Sequence, residues 1–446
     1  MSFPDSFLWG ASTAAYQIEG AAATDGRGAS VWDAFCRKPG AVVGGETGDV
    51  ACDHYNRYAD DIALWASLGL QSYRFSLSWS RLFPHGRGRV NSKGVDFYNR
   101  VIDTLLFHNI TPVITLFHWD FPLDLFYQGG WLHRDSAYWF ADYAAFAAQT
   151  FGDRVTWWIT QNEPQCFIEL GHKTGYHAPG LSLPQREVLW AAHNSLRAHG
   201  CAYGQMKEVR NSLMVGYGPV GVTSIPQEET SKNIMQARHH MFSHTDESLF
   251  TNTWFMDPVF KGEYPEDGCH FYGTDMIEFH SSDMEEIHQG ADFLGTNIYH
   301  GTYINDTGGE VAPPQGHSTT AMGWPITPRA LYWGPRFLSE QYGVPLVVTE
   351  NGMAGTDYAM PDDTIIEDPY RVAYLRQYLQ ELRRACREGV DVRGYFVWSA
   401  LDNFEWAEGY GKRFGIVYVD YETQERFCKR SALWYKEVIE SNGRNL

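Results

Sequence analysis

Two glutamates stand at the ends of short apolar runs closed by chain breakers. Trp157-Trp158-Ile159-Thr160-Gln161-Asn162-Glu163-Pro164 passes from apolar to polar to acidic and stops at proline. Leu346-Val347-Val348-Thr349-Glu350-Asn351-Gly352 follows the same course and stops at glycine. A continuous apolar run of this length marks a strand covered on both faces, so an acid at its end needs a reason. Taken alone, either carboxylate reads as an ion-pair partner, because buried acids usually meet a buried base. Two on different strands suit cleavage of a glycosidic bond, which takes a protonated acid for the leaving oxygen and an ionised group on the opposite face of the ring. At a separation of about 5 Å and an effective dielectric near 20, their repulsion is roughly 3 kcal/mol, or about two pKa units. One of the pair then stays protonated near neutrality. Arg74 is a cation suited to hold the other ionised, and Tyr299 a hydroxyl suited to donate to it. If the ionised group becomes an ester its charge disappears and its partner's pKa falls, so one residue serves first as acid and then as base.

Other side chains near these runs suit sugar hydroxyls and ring faces. Gln17 and Glu19 precede Gly20, His118-Trp119 and Trp398 fall near the ends of further runs, and Glu405-Trp406 come shortly after. A carboxylate such as Glu405 accepts from two adjacent hydroxyls, and indole faces match the apolar side of a pyranose. Any single one of the sixteen tryptophans reads as core packing; the clustering beside hydrogen-bonding side chains is what favours a site. Gly216-Tyr217-Gly218-Pro219-Val220-Gly221 fits a dinucleotide-binding glycine pattern, but Pro219 and Pro226 forbid the helix that would hold a pyrophosphate, so it reads as a turn. His239-His240 lacks the spacing and the acid of a metal helix and reads as a surface pair. The seven cysteines are scattered with no C-x-x-C pair, so neither a disulfide framework nor a zinc site is expected. No metal or cofactor is called for. Asn305-Asp306-Thr307 matches a glycosylation sequon, read as accidental.

Strand-length apolar runs alternate with helical patterns along the chain, the arrangement of a parallel sheet with crossover helices. The runs are 7–12, 72–79, 112–119, 157–163, 214–218, 292–299, 345–350 and 394–399. Helices are expected from Asp53 to Leu68 with Gly69 as the stop, across the Tyr98, Val101, Ile102, Leu105 face, and from Ala137 to Gln149. Another should begin at Asp368-Pro369, bury Val372, Leu375, Leu379 and Leu382, and end at Gly389. About seventy residues between the fifth and sixth runs read as helices and loops inserted on the barrel. Eight βα units fit a closed (β/α)8 barrel as well as an open sheet. The barrel is favoured because Arg74, His118-Trp119, Asn162-Glu163, Asn297 and Tyr299, Glu350 and Trp398 would then converge at the C-terminal mouth, where such barrels place their chemistry. The expectation is an α/β protein, residues 1–446 forming one (β/α)8 TIM barrel with long βα loops.

The formal charge of −19 over 446 residues argues against a nucleic acid or anionic membrane partner and leaves a neutral small molecule untouched. Met1-Ser2-Phe3-Pro4-Asp5 lacks a basic segment followed by an apolar core, and the chain beyond it holds no long uncharged apolar stretch, so the expected location is cytoplasmic. Oligomeric state is left open.

Thr160-Gln161-Asn162-Glu163-Pro164 and Val348-Thr349-Glu350-Asn351-Gly352 resemble the acid/base and nucleophile signatures of glycoside hydrolase family 1, the β-glucosidase family. Phe7-Leu8-Trp9-Gly10-Ala11-Ser12-Thr13-Ala14 with Gln17-Ile18-Glu19-Gly20 resembles its opening motif, and the similarity runs on to Phe414-Gly415-Ile416-Val417-Tyr418-Val419-Asp420. The resemblance implies a retaining β-glycosidase with Glu163 as general acid/base and Glu350 as nucleophile. Asn162 would bond the sugar 2-hydroxyl, and Arg74 and Tyr299 would hold Glu350. Gln17, His118, Trp119, Asn297, Trp398, Glu405, Trp406 and Phe414 would receive the non-reducing sugar, and Trp324 would stack on the leaving sugar. It also implies a cis peptide at Trp398-Ser399. Glu405 argues against a 6-phosphosugar, which a carboxylate would repel, and the presence of both glutamates argues against a non-catalytic sugar-binding relative. The expected activity is exo-hydrolysis of β-glucosides from oligosaccharides or aryl and alkyl glucosides, with β-galactosidase or β-fucosidase side activity. A predominantly transglycosylating enzyme is the alternative. Cys166, three residues past Glu163 where many relatives carry a larger side chain, bears on the leaving-group entrance or is a neutral substitution.

Overall fold

The eight apolar runs become eight parallel strands in the computed structural model, which describes residues 2–360 and 364–446. They are β1 (Leu8–Ser12), β2 (Ser72–Ser76), β3 (Thr111–Phe117), β4 (Trp157–Asn162), β5 (Met214–Gly218), β6 (Phe293–Asn297), β7 (Leu346–Asn351) and β8 (Val392–Trp398). Each pairs with the next, and β8 closes on β1, with Leu8 opposite Gly394 and Ser12 opposite Trp398. The sheet is therefore a closed barrel and not the open alternative.

Around it run α1 (His54–Ser67), α2 (Ser92–Phe107), α3 (Ser136–Phe151), α4 (Gln185–Val209), α5 (Ala330–Tyr342), α6 (Pro369–Arg387) and α7 (Arg430–Glu440). The i, i+3, i+4, i+7 face of α2 is buried as its spacing requires. On α6 the stripe lies slightly differently. Leu375, Leu379 and Leu382 are buried, but Tyr374 and Tyr378 complete the face and Val372 is only half-buried. The run at 72–79 also ends sooner than expected. After Ser76 the chain turns, and the Arg81 and Leu82 amides fold back to the Ser78 carbonyl in a short helix.

The barrel interior is divided by height. Val113, Ile159, Phe293, Val347 and Phe396, from five strands, form an apolar cluster at the N-terminal end, backed by Leu8, Trp157 and Met214. Polar residues take over above it. Two register shifts decide which polar residues point inward. One lies between Ile159 and Asn162 in the β4–β5 ladder, the other between Val348 and Glu350 in the β7–β6 ladder. An irregularity of this kind breaks the two-residue alternation and re-aims the side chains beyond it. Gln161 consequently turns outward to donate to the Ser195 carbonyl on α4, while Asn162 turns in. Gly352 serves the same junction, since a Cβ there would sit 1.9 Å from the Trp398 carbonyl oxygen.

The segment between β5 and β6 holds four short helices, 231–242, 253–261, 266–272 and 281–287, and also a strand not expected from sequence. Thr223–Pro226 pairs parallel with Gly301–Ile304, which pairs antiparallel with Glu310–Val311. Runs this short, with proline at an edge, carry no period-2 signal. The glycine-patterned stretch after β5 does not turn back as expected. It stays extended, Val220 bridging to Asn297 before the new strand. Among the described residues no helix is long and apolar enough to cross a membrane.

Candidate active site

At the C-terminal mouth a cavity of about 580 Å³ opens, lined by Glu163, Glu350, Glu405 and the aromatic residues chosen from sequence. Glu350 reaches it from β7. Arg74 Nη1 donates to its Oε1 at 2.7 Å, and Tyr299 Oη donates to its Oε2 at 2.7 Å. Arg74 is fixed in turn, Nε on Thr115 Oγ1 at 3.0 Å and Nη2 on Asn162 Oδ1 at 2.6 Å. Glu163 meets only neutral side-chain donors. Asn297 Nδ2 donates to Oε1 at 2.9 Å, and Cys166 Sγ lies 3.4 Å from Oε2. Thr349 Oγ1, 2.6 Å from Asn297 Oδ1, orients that amide, whose Nδ2 also reaches Asn162 Oδ1 at 3.0 Å. One chain of hydrogen bonds therefore runs from Glu163 through Asn297, Asn162 and Arg74 to Glu350.

Burial sets the protonation of the pair more than their mutual repulsion does. Loss of water pushes the Glu163 carboxyl up to about 8, with the negative charge of Glu350 the next cause. The donors Asn297 and Cys166, and then Arg74, pull against it. Burial raises Glu350 as well, but there the Arg74 guanidinium and the Tyr299 hydroxyl oppose it directly. Sequence reasoning attributes the asymmetry to charge and to the Tyr299 hydroxyl and leaves burial out, because burial depth is a tertiary property. The ordering implied by the family resemblance, Glu163 holding the proton and Glu350 ionised, is the one these surroundings favour.

The sugar-binding candidates form a shelf beside the acids. Trp119 and Trp406 rings lie 4.6 Å apart, and His118 stacks 5.7 Å from Trp398. Trp324 stands at the outer side, 5.1 Å from Tyr299 and 6.1 Å from Phe414. Gln17, Arg74 and Asn162 sit just behind the lining. Asn162 Nδ2 donates to His118 Nε2 at 3.1 Å, which places the ring proton on Nδ1, and that buried atom has no partner among the described residues. Burial and the nearby Arg74 hold His118 well below its usual range and so neutral. Gln17 Nε2 is fixed by Asn403 Oδ1 at 3.0 Å and the Phe404 carbonyl at 2.9 Å, leaving Oε1 likewise buried and unpartnered. A free donor and a free acceptor on one wall match the hydroxyls of a sugar. Glu405, 3.5 Å from Gln17 Nε2, is pushed well above the usual carboxylate range by burial and then by the charges of Glu350 and Glu163.

Three of these residues hold left-handed backbone, Trp119 at φ 78°, Glu163 at φ 47° and Trp406 at φ 52°. Such conformations in non-glycine residues persist where surrounding structure enforces them, and they gather at functional sites. The Trp398-Ser399 peptide is cis, as the resemblance implied. Sequence reading missed Thr115 and Thr349, which orient Arg74 and Asn297; their place close to the expected polar ends was the available signal. It also missed Tyr176, Phe250, Met322 and Glu408 of the cavity lining, the first three on irregular segments and the last in the short helical turn Trp406–Glu408, none of which carries a periodic signal.

Comparison with known proteins agrees with this geometry. The model for "Glycosyl hydrolase family 1" matches residues 1–444. The chain is 44% identical to the 1,4-beta-D-glucan glucohydrolase of Thermotoga neapolitana, covering 99% of both, and 44% identical to Beta-glucosidase A of Thermotoga maritima, covering 99% of this chain and 98% of that one. The structure superposes on the Thermotoga maritima beta-glucosidase solved in complex with deoxynojirimycin with a TM-score of 0.91, at 43% identity and 99% coverage of both chains. Two bulge-aimed acids above an apolar plug, a full-length family match and this superposition lead to one conclusion: the chain belongs to glycosyl hydrolase family 1.

Proposed function

We propose that the chain is a retaining β-glucosidase, residues 1–446 forming one catalytic domain that removes terminal non-reducing β-D-glucosyl residues from short oligosaccharides and from aryl or alkyl glucosides. The observation that carries this reading is the unequal setting of two acids in one cavity. Glu350 is gripped by Arg74 and Tyr299, while Glu163 has neutral donors and keeps its proton up to about 8. Glu350 attacks the anomeric carbon as the glycosidic C–O bond breaks, and the Glu163 proton passes to the leaving oxygen. In the resulting ester Glu350 carries no charge, so one cause of the raised Glu163 pKa is gone. Glu163, now a carboxylate, takes a proton from water as the water oxygen attacks the same carbon and Glu350 leaves. Two inversions return the β configuration.

Gln17, His118, Trp119, Asn297, Trp398, Glu405, Trp406 and Phe414 hold the sugar, Asn162 its 2-hydroxyl, and Trp324 the leaving group. A neutral sugar is supported because no lysine or arginine lines the cavity among the described residues, while Glu405 does. Similarity to two enzymes named for glucan or glucoside hydrolysis supports glucose. β-Fucosides and β-galactosides are secondary substrates, and sugar acceptors compete with water at high sugar concentration. The activity is placed in the cytoplasm, which cell fractionation checks. Incubation with a 2-deoxy-2-fluoro β-glucoside, followed by peptide mapping, tests the core of the proposal. A stable adduct on Glu350 is expected; labelling elsewhere, or none, would sink it.

A further inference from the structure

Cys166 has no part in the scheme above, yet its thiol is built into the acid's surroundings. The left-handed backbone of Glu163 reverses the chain, and the Cys166 amide donates to the Glu163 carbonyl at 2.9 Å, closing a turn that opens the widened helical segment Cys166–Lys173. This turn brings Sγ to 3.4 Å from Glu163 Oε2, on the cavity wall and 8% exposed. The other oxygen, Oε1, already accepts from Asn297 Nδ2. An oxygen that accepts an amide N–H plays the carbonyl part of a protonated carboxyl, which leaves the proton to Oε2. A thiol is both a weak donor and a weak acceptor. It can therefore accept from Oε2–H while Glu163 is an acid and donate to Oε2 once Glu163 is a base. Valine or alanine would do neither.

We propose that Cys166 is a positioning residue for the acid/base step, assigning the catalytic proton to Glu163 Oε2 and staying bonded to that oxygen in both protonation states. The proposal rests on the acid/base reading of Glu163. No covalent bond to sulfur forms and nothing is oxidised; the proton moves between Oε2, the leaving oxygen and water while the S–H rotates. Burial, with the charges of Glu163 and Glu350, pushes the thiol well above its usual range, so it keeps its own proton throughout. The other titratable or charged groups that act on Glu163 are Glu350 on β7, Arg74 on β2, Tyr299 after β6 and Glu405 beyond β8, with His118 after β3 lining the same cavity, and all are unchanged by substitution at 166.

A hydrogen bond to the ionised oxygen is stronger than one to the neutral acid, so the side chain at 166 sets the alkaline limb of activity. The test is kcat/KM for cellobiose against pH in the wild type, Cys166→Ala and Cys166→Ser. Alanine removes the donor and moves the limb up by about 0.3–1 pH unit; serine, a stronger donor, moves it down by a similar amount. The two replacements are nearly equal in size, so packing loss alone cannot give opposite signs. Cys166→Thr supplies the hydroxyl donor if the serine protein does not fold. With a dinitrophenyl glucoside, whose leaving group needs no proton, the split disappears. Limbs that coincide with the wild type, or that move together, overturn the proposal. If Glu163→Gln leaves cellobiose hydrolysis intact, the acid/base reading fails instead, and the two failures are distinct.

Discussion

Asp402 and Glu405 are three residues apart, yet they belong to two buried acid clusters with opposite electrostatics. Asp402 takes Lys429 Nζ at 2.6 Å and Arg413 Nη1 at 2.8 Å, and Asp357 takes the same Lys429 at 2.6 Å and Arg371 Nη2 at 2.7 Å. Asp368 completes the set against Arg371. Three acids face three cations. Burial would raise Asp357, but Lys429 and then Arg371 outweigh it and hold the carboxyl below its usual range. Across Phe414, Glu163, Glu350 and Glu405 share a cavity whose nearest guanidinium, Arg74, is committed to Glu350, and all three carboxyls are raised. Matched charge holds structure in place; unmatched charge keeps protons available for chemistry. The matched cluster also serves the other, since Asp402 Oδ1 accepts the Gly415 amide at 2.9 Å and Oδ2 the Arg413 side chain, fixing the chain on both sides of Phe414.

Substitution should separate the two clusters by the property each loses. Glu350→Gln removes the proposed nucleophile, and kcat on any β-glucoside is expected to fall by at least about 10⁴-fold, with the unfolding midpoint near that of the wild type. Steady-state kinetics and a melting curve on the same preparation check both halves. Lys429→Met removes the cation shared by Asp357 and Asp402 and leaves three buried acids facing two guanidiniums. It should cost about 3–5 kcal/mol in denaturant unfolding while leaving the pH dependence of the remaining activity where it was. If Lys429→Met shifts that dependence and leaves stability intact, the contrast between the clusters is wrong.

A smaller effect comes from linkage. The Glu163 carboxyl has an ordinary value of 4.5 in the unfolded chain and about 8 in the fold. Between those values the folded state holds a proton that the unfolded state has lost, so the stability from this group is full below 4.5 and declines as pH rises to about 8. Asp357, held low, has the opposite sign: its contribution is present above its unfolded value and is lost as pH falls. The Glu163→Gln protein should therefore lose less stability than the wild type between about pH 5 and about pH 8, measured by denaturant titration at several pH values. Equal slopes would contradict the raised pKa.

The strands were legible because each is an apolar run closed by glycine, proline or a polar turn, and the site because its acids and aromatics end those runs. What was not legible depended on contacts between distant segments. Nothing in Ile159-Thr160-Gln161-Asn162 says that Gln161 turns outward and Asn162 inward; the register shift belongs to the β4–β5 pair and not to either strand. The same holds for Lys429, whose own stretch of sequence gives no sign that Asp357 and Asp402 close on it. Depth of burial, the larger cause of the raised Glu163 pKa, comes from the segments at 166–177 and 220–250 that line the cavity and carry no repeat.

The central claim is that Glu163 keeps its proton because it is buried beside an ionised Glu350. Carbon-13 NMR titration of the Glu163 carboxyl, in the wild type and in Glu350→Gln, tests it directly. The account predicts a titration at about 8 in the wild type and a lower one in the variant, still above the ordinary carboxylate value because burial remains. A wild-type carboxyl that titrates in the ordinary range, or one indifferent to the loss of Glu350, would contradict it.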